Sequence, residues 1–191
     1  MVRLTKIYTK TGDAGRTRLG DMSEADKHDP RVEAYGTVDE ANAAIGVALA
    51  ALDPGHELAV ILLRVQNDLF DLGADLCVPG RGEKLEWEPL RMTAGQTTRL
   101  ETEIDALNSR LDPLDSFVLP GGTEAAARLH LARTITRRAE RRVVALASTG
   151  EPVSEPVITY LNRLSDLLFV AARIANDEGR GDVKWTPGAS R

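Results

Sequence analysis

The run from Thr123 to Leu146, TEAAARLHLARTITRRAERRVVAL, constrains the fold more than any other segment of the chain. Its apolar residues recur at helical spacing, which predicts a long helix with one face turned to a core. Arg133, Arg137 and Glu140 fall at i, i+4 and i+7, so two guanidinium groups and a carboxylate share one stripe. Arg138, Arg141 and Arg142 flank that stripe. A helix with both a long apolar face and these arginines needs anions beside it, either carboxylates or phosphates. A solvated basic face laced with ion pairs meets that need as well as an anionic ligand does.

Punctuation and periodicity predict the other helices. Asp29-Pro30 reads as a cap followed by proline at the first helical position, opening a helix over 30–52 that Asp53-Pro54-Gly55 closes. Leu58, Ile61, Leu62, Val65, Leu69, Leu72 and Leu76 keep helical spacing over 56–77. Thr93 followed by Gln96 forms a capping-box pattern for a third helix, which Asp112-Pro113 breaks after Leu111. The arginine helix is fourth, and Pro156 opens a fifth that runs to Asn176. Five helices with short connections predict an all-α fold, an antiparallel five-helix bundle of the ferritin-like class over 30–176. An aromatic content of 4% also suits close helix packing. The chain is expected to be a single domain over 1–191, with a non-helical loop over 1–28 and a flexible tail over 178–191. Gly36, Gly46 and Gly73 lie inside the expected helices at about 1 kcal/mol each against Ala, and mark close approach of a helix or ligand.

Composition narrows the function. A net charge of -5 gives no general support for nucleic-acid binding, so the basic helix is a local feature suited to a small anion or an acidic partner. A lone cysteine, Cys77, excludes an internal disulfide and a cysteine metal cluster. No apolar run is long enough to span a bilayer, and the first residues lack the apolar core of a signal peptide, so a cytoplasmic location is expected. His28, His56 and His130 are scattered. There is no Glu-x-x-His pair, no HExxH and no GxSxG. Without a protein nucleophile, demanding chemistry would fall to a bound cofactor or substrate that the protein positions.

Three segments are candidates for a site. Thr9-Lys10-Thr11-Gly12-Asp13-Ala14-Gly15-Arg16-Thr17 combines glycines, hydroxyls and a lysine, which suits close backbone approach to phosphate, although it is not a Walker A motif and a plain glycine-rich turn has the same pattern. Asp39 lies in a mixed apolar and acidic segment where it can pair with an arginine of another helix or subunit, or stand as a surface carboxylate near a helix start. Asn162 and Asp166 sit one turn apart on the fifth helix; an asparagine among apolar neighbours needs a hydrogen-bond partner, from protein or ligand.

Taken in order, KIYTKTGDAGRT, PRVEAYGTVDEANAAIG, FVLPGG, ARTITRRAER and YLNRLSD give the chain a resemblance to the PduO-type ATP:cob(I)alamin (corrinoid) adenosyltransferases over nearly its whole length. Ala14 stands where many members carry Lys, and Ala41 where Leu is usual. The resemblance implies transfer of the 5′-deoxyadenosyl group of ATP to cob(I)alamin, with cob(II)alamin reduced in place and Mg²⁺ carried mainly by the ATP phosphates. It implies a homotrimer with sites at subunit interfaces, a flavin reductant, and a client cobalamin-dependent enzyme, without nucleic acid or membrane. By the same resemblance Thr9, Lys10, Thr11, Gly12 and Thr17 line the phosphate loop, and Lys27 matches a further lysine that reaches the nucleotide. Arg137, Arg138, Glu140, Arg141 and Asn162 complete the ATP site. Arg133 matches an arginine that pairs across the interface with the aspartate matching Asp39, and Phe117 matches the aromatic that excludes the lower axial ligand. A non-catalytic nucleotide sensor on the same bundle is the alternative.

Overall fold

The computed structural model describes residues 7–8, 10–82 and 84–191. An antiparallel hairpin, β1 (Arg16–Arg18) and β2 (Glu24–Asp26), precedes five helices: α1 (Pro30–Leu49), α2 (Glu57–Cys77), α3 (Ala94–Asn108), α4 (Glu124–Ser148) and α5 (Glu155–Ile174). The fold class is the expected helical bundle. The hairpin was not expected, because two three-residue strands with two charged residues each give no apolar alternation to detect.

Each helix starts on the signal its sequence carries. Asp29 accepts from the Arg31 amide at 2.8 Å, ahead of Pro30. The Gln96 side chain accepts from the Thr93 amide at 2.9 Å. Thr123 Oγ1 accepts from the Ala126 amide at 3.2 Å. These contacts satisfy amides that have no partner within the helix. The ends are less legible: α1 stops at Leu49 and α3 at Asn108, short of the expected 52 and 111, since no residue there forces termination until the following Asp-Pro.

Helix α4 packs against α1 on one side and α5 on the other; α1 also packs on α2, and α3 on α5. Ile45, Leu62, Leu69, Leu72, Leu129, Val143, Leu161, Leu164 and Leu168 meet in one core, each 2% exposed or less. Apolar area withdrawn from water here supplies most of the drive to fold. None of the described helices is long and apolar enough to cross a membrane.

Two buried carboxylates enter this core with partners. Asp68 accepts from Tyr160 Oη at 2.9 Å, and burial first, then the Asp68 charge, drive the tyrosine pKa far up. Asp75, 2% exposed, accepts from the Met92 amide at 2.8 Å, from Arg91 Nη1 at 2.7 Å and from Ser154 Oγ at 2.9 Å. That one carboxylate ties the α2 end to the segments entering α3 and α5. Asp75→Ala removes the carboxylate acceptor of the Met92 amide and the Ser154 hydroxyl and leaves Arg91 only the backbone carbonyls of residue 75 and Val78; it is expected to cost about 3–5 kcal/mol, read as a lower urea midpoint with an unchanged slope.

Candidate functional site

Residues 10–27 fold into a cradle. Lys10 takes a positive φ of 62°, and its ammonium stands 6.0 Å from the Tyr8 ring centroid. The Gly15 amide donates to the Gly12 carbonyl at 3.2 Å, closing a turn, and the Lys27 amide donates to the Gly15 carbonyl at 2.8 Å. Gly15, at φ +79°, adopts a conformation that side chains resist. A Cβ on Gly12 would come within 3.2 Å of Lys27 Nζ, so the bare glycine lets the ammonium approach the turn. Thr11, Gly12, Arg16, Thr17, Arg18, Glu24 and Lys27 line a cavity of about 530 Å³. The structure therefore brings together three of the expected phosphate-loop residues, Thr11, Gly12 and Thr17, with the further expected lysine, Lys27. Thr9 lies outside the described residues. Arg16, Arg18 and Glu24 were missed; the opposed charge patterns RTR and EAD were the available signal.

On α4 the arginines divide. Arg138 pairs with Glu40, and Arg142 Nε lies 3.2 Å from Glu33, both stitching α4 to α1. Arg128 pairs with Glu124 one turn back. Arg141 Nη1 donates to the Arg137 carbonyl at 3.1 Å. Glu140 accepts from Asn162 Nδ2 at 2.9 Å, so two expected nucleotide residues on α4 and α5 do meet. The Arg137 side chain is exposed and has no ion-pair or hydrogen-bond partner among the described residues. Neither Arg137 nor Arg141 lines the hairpin cavity. Within one chain the two halves of the expected ATP site thus do not share this cavity.

Asp39 and Arg133 also fail to meet within the chain. Asp39 lines a cavity of about 460 Å³ between α1 and α2, with Tyr35, Asn42 and Phe70. Gly36 and Gly73 border it, and a Cβ on either would meet nothing within 4 Å. Arg133 sits half-buried with its guanidinium 5.9 Å from the Phe169 ring centroid and its Nε buried without a partner. Burial, then the Arg137 cation, push its pKa down. Guanidinium stays charged nonetheless, so the position lacks an anion. His130, one turn away, is 2% exposed and edge-on to Phe169, with Nδ1 unpartnered among the described residues. Burial first, and then Arg133, lower its pKa and favour the neutral ring.

Phe117 is 77% exposed on the loop before α4, with its ring centroid 6.1 Å from that of Trp185. The tail expected to be flexible pairs with this loop: the Trp185 amide donates to the Phe117 carbonyl at 2.7 Å and the Leu119 amide to the Val183 carbonyl at 2.8 Å. Beneath them lies a buried polar clamp. Arg173 Nε meets Asp182 Oδ2 at 2.8 Å, with side chains 6% and 3% exposed. Asn176 donates to Asp182 Oδ1 at 2.9 Å and accepts from the Thr123 amide at 3.1 Å, while Arg173 also donates to the Asp112 carbonyl at 3.0 Å. Gly122 (φ +99°) is obligatory here, since a Cβ would come within 2.3 Å of Asn176 Oδ1. The clamp joins the end of α5, the tail and both ends of the Phe117 loop.

The sequence profile of the cobalamin adenosyltransferase family matches residues 7–175. A corrinoid adenosyltransferase of Mycobacterium tuberculosis is 51% identical over 191 residues, covering 100% of this chain and 97% of that protein. A corrinoid adenosyltransferase of Bacillus subtilis is 50% identical over 184 residues, 94% of this chain and 92% of that protein. A solved variant of the PduO-type ATP:corrinoid adenosyltransferase from Lactobacillus reuteri, complexed with cobalamin and ATP, aligns with a TM-score of 0.87 at 40% identity, over 95% of this chain and 97% of that one. The chain belongs to the cobalamin adenosyltransferase family.

Asp182→Ala should free the tail and the Phe117 loop together. Amide exchange at 117–119 and 183–185 is expected to rise at least about tenfold while far-UV helicity is retained; unchanged protection would remove the clamp's assigned role.

Proposed function

We propose that the chain transfers the 5′-deoxyadenosyl group of ATP to cob(I)alamin, giving adenosylcobalamin and triphosphate. The observation that carries this reading is the pair of cation sets, the hairpin cavity and the unpartnered Arg137, on a fold shared with a relative that is complexed with cobalamin and ATP. Reduced cobalt supplies both electrons of the new Co–C5′ bond, and the C5′–O bond to the triphosphate breaks. No side chain need act as nucleophile. The protein's work is electrostatic: Lys10, Lys27, Arg137 and the loop amides face the charge that grows on the departing triphosphate. Thr9, Thr11, Gly12 and Thr17 shape the loop, and Arg138, Glu140, Arg141 and Asn162 form the α4–α5 side of the nucleotide site. Magnesium arrives as the counter-ion of the phosphates.

The working assembly is a homotrimer. A second copy supplies what each chain lacks: Arg137 for the hairpin cavity, and an anion for Arg133. Asp39 meets the partner's requirement for that anion, and neither residue has an ion-pair partner within its own chain among the described residues. Phe117, exposed and held from beneath, covers the lower axial face of the corrinoid and keeps base and water from Co(II), which eases its reduction. The reductant is a reduced flavin and the product passes to a cobalamin-dependent client enzyme, in the cytoplasm.

Anaerobic incubation with ATP, Mg²⁺ and chemically reduced cobalamin tests the reading: equal amounts of adenosylcobalamin and triphosphate are expected. ATP binding with no product would leave the sensor alternative instead. Arg137→Ala should lower kcat/KM for ATP about 100-fold or more, with corrinoid affinity nearly unchanged in equilibrium titration. Phe117→Ala should retain ATP affinity within about twofold yet slow adenosylation from Co(II) at least tenfold; normal four-coordinate Co(II) spectra in that variant would contradict the assignment.

A further inference from the structure

Two carboxylates hold an arginine of the hairpin cavity, where a phosphate site would be better served without them: Glu24 lines the cavity and Asp26 acts on it through Arg16. Arg16 donates from Nε to Glu24 at 3.3 Å and from Nη1 to Asp26 at 3.1 Å. Strand pairing sets Arg16 opposite Asp26 and Arg18 opposite Glu24, which puts all four side chains on one face of the hairpin; Glu24 reaches Arg16 on the diagonal rather than Arg18 directly across. Arg16, Arg18, Lys27 and Glu24 all line the same cavity. Arg18 and Lys27 have no carboxylate within ion-pair distance among the described residues, whereas Arg16 is held by two. The three side chains of the Arg16 cluster are 51%, 55% and 50% exposed. Ion pairs this wet are weak, so a stronger anion can displace them.

We propose that Arg16, Glu24 and Asp26 form an electrostatic latch that sets the affinity of the cavity for polyphosphate. This rests on the reading above that the cavity takes the nucleotide's phosphates. In the free protein the carboxylates occupy the Arg16 fork. Polyphosphate competes for that fork, and the released carboxylates then oppose it with like charge. The penalty grows with the negative charge of the ligand. It therefore falls harder on free triphosphate than on a magnesium-bound nucleotide, which favours substrate entry and product departure. Arg16 is thus a specificity-determining residue, and Glu24 and Asp26 tune it.

The test measures binding of inorganic tripolyphosphate to the full-length chain by calorimetry, with and without Mg²⁺, for the wild type, Arg16→Gln, Glu24→Gln, Asp26→Asn and the Arg16→Gln/Glu24→Gln double variant. Glu24→Gln and Asp26→Asn should each tighten binding about threefold, and Arg16→Gln should weaken it about threefold or more. The gain from Glu24→Gln should shrink in the Arg16→Gln background and in the presence of Mg²⁺. A purely structural role predicts weaker binding in all three single variants, which would overturn the latch. An equal Glu24→Gln gain in both backgrounds would also overturn it, because the carboxylate would then act by repulsion alone. If the wild type makes adenosylcobalamin while the carboxylate variants bind normally, only the latch fails. If it neither binds tripolyphosphate nor makes product, the proposed function fails with it.

Discussion

Helix α4 has to pack on two sides while carrying arginines along much of its length, and the rest of the structure follows from how that conflict is resolved. Its apolar residues are taken up by α1 and α5. Three of its six arginines are matched by carboxylates: Glu33 and Glu40 reach across from α1, and Glu124 serves one turn away, while Arg141 donates to the Arg137 carbonyl. These exposed pairs add little stability each, but they account for charges that need no ligand. Arg133 and Arg137 are left over. One is half-buried without an anion and the other is open to solvent; the function proposed above gives both a partner. In a bundle with one dominant core, unresolved charge is a better guide to function than the size of any cavity.

The hairpin and the loop before α4 are held by different means: the Gly20 amide ties the hairpin turn to the Cys77 carbonyl at the end of α2. The hairpin is shaped by backbone turns and glycine conformations, with a wet surface of opposed charges. The loop before α4 is held by a desolvated network in which Arg173, Asp182 and Asn176 satisfy one another and fix the backbone at Asp112 and Thr123. A buried charge pair of this kind contributes modestly as a pair, yet losing one member leaves the other stranded. That asymmetry makes the loop conformation well determined. It also explains how a large aromatic, Phe117, can be presented to solvent on a loop without collapsing onto the bundle.

Much of this was legible along the chain. Helical periodicity and capping residues located all five helices, because each signal acts over one or two turns. The glycine-rich loop and the arginine stripe marked the two candidate halves of the site, since phosphate chemistry constrains residue type as well as position. Three-residue strands with two charged residues each were not legible, because their only signature is complementarity between RTR and EAD, a relation between segments rather than a pattern within one. The tail was equally opaque: Asp182 looks like any polar residue of a loop until α5 brings Arg173 beneath it.

The sequence by itself determined what acts locally: five amphipathic helices, their starts, and the presence of a cation-rich turn and a cation-rich helix. Tertiary structure alone decided which charged and polar groups separated along the chain partner each other. Glu40 takes Arg138, Glu140 takes Asn162, Arg16 is shared by two carboxylates, and Asp39 and Arg133 stay apart. The physical reason is that electrostatic pairing depends on through-space distance and burial, and neither is encoded in the spacing of residues along a chain.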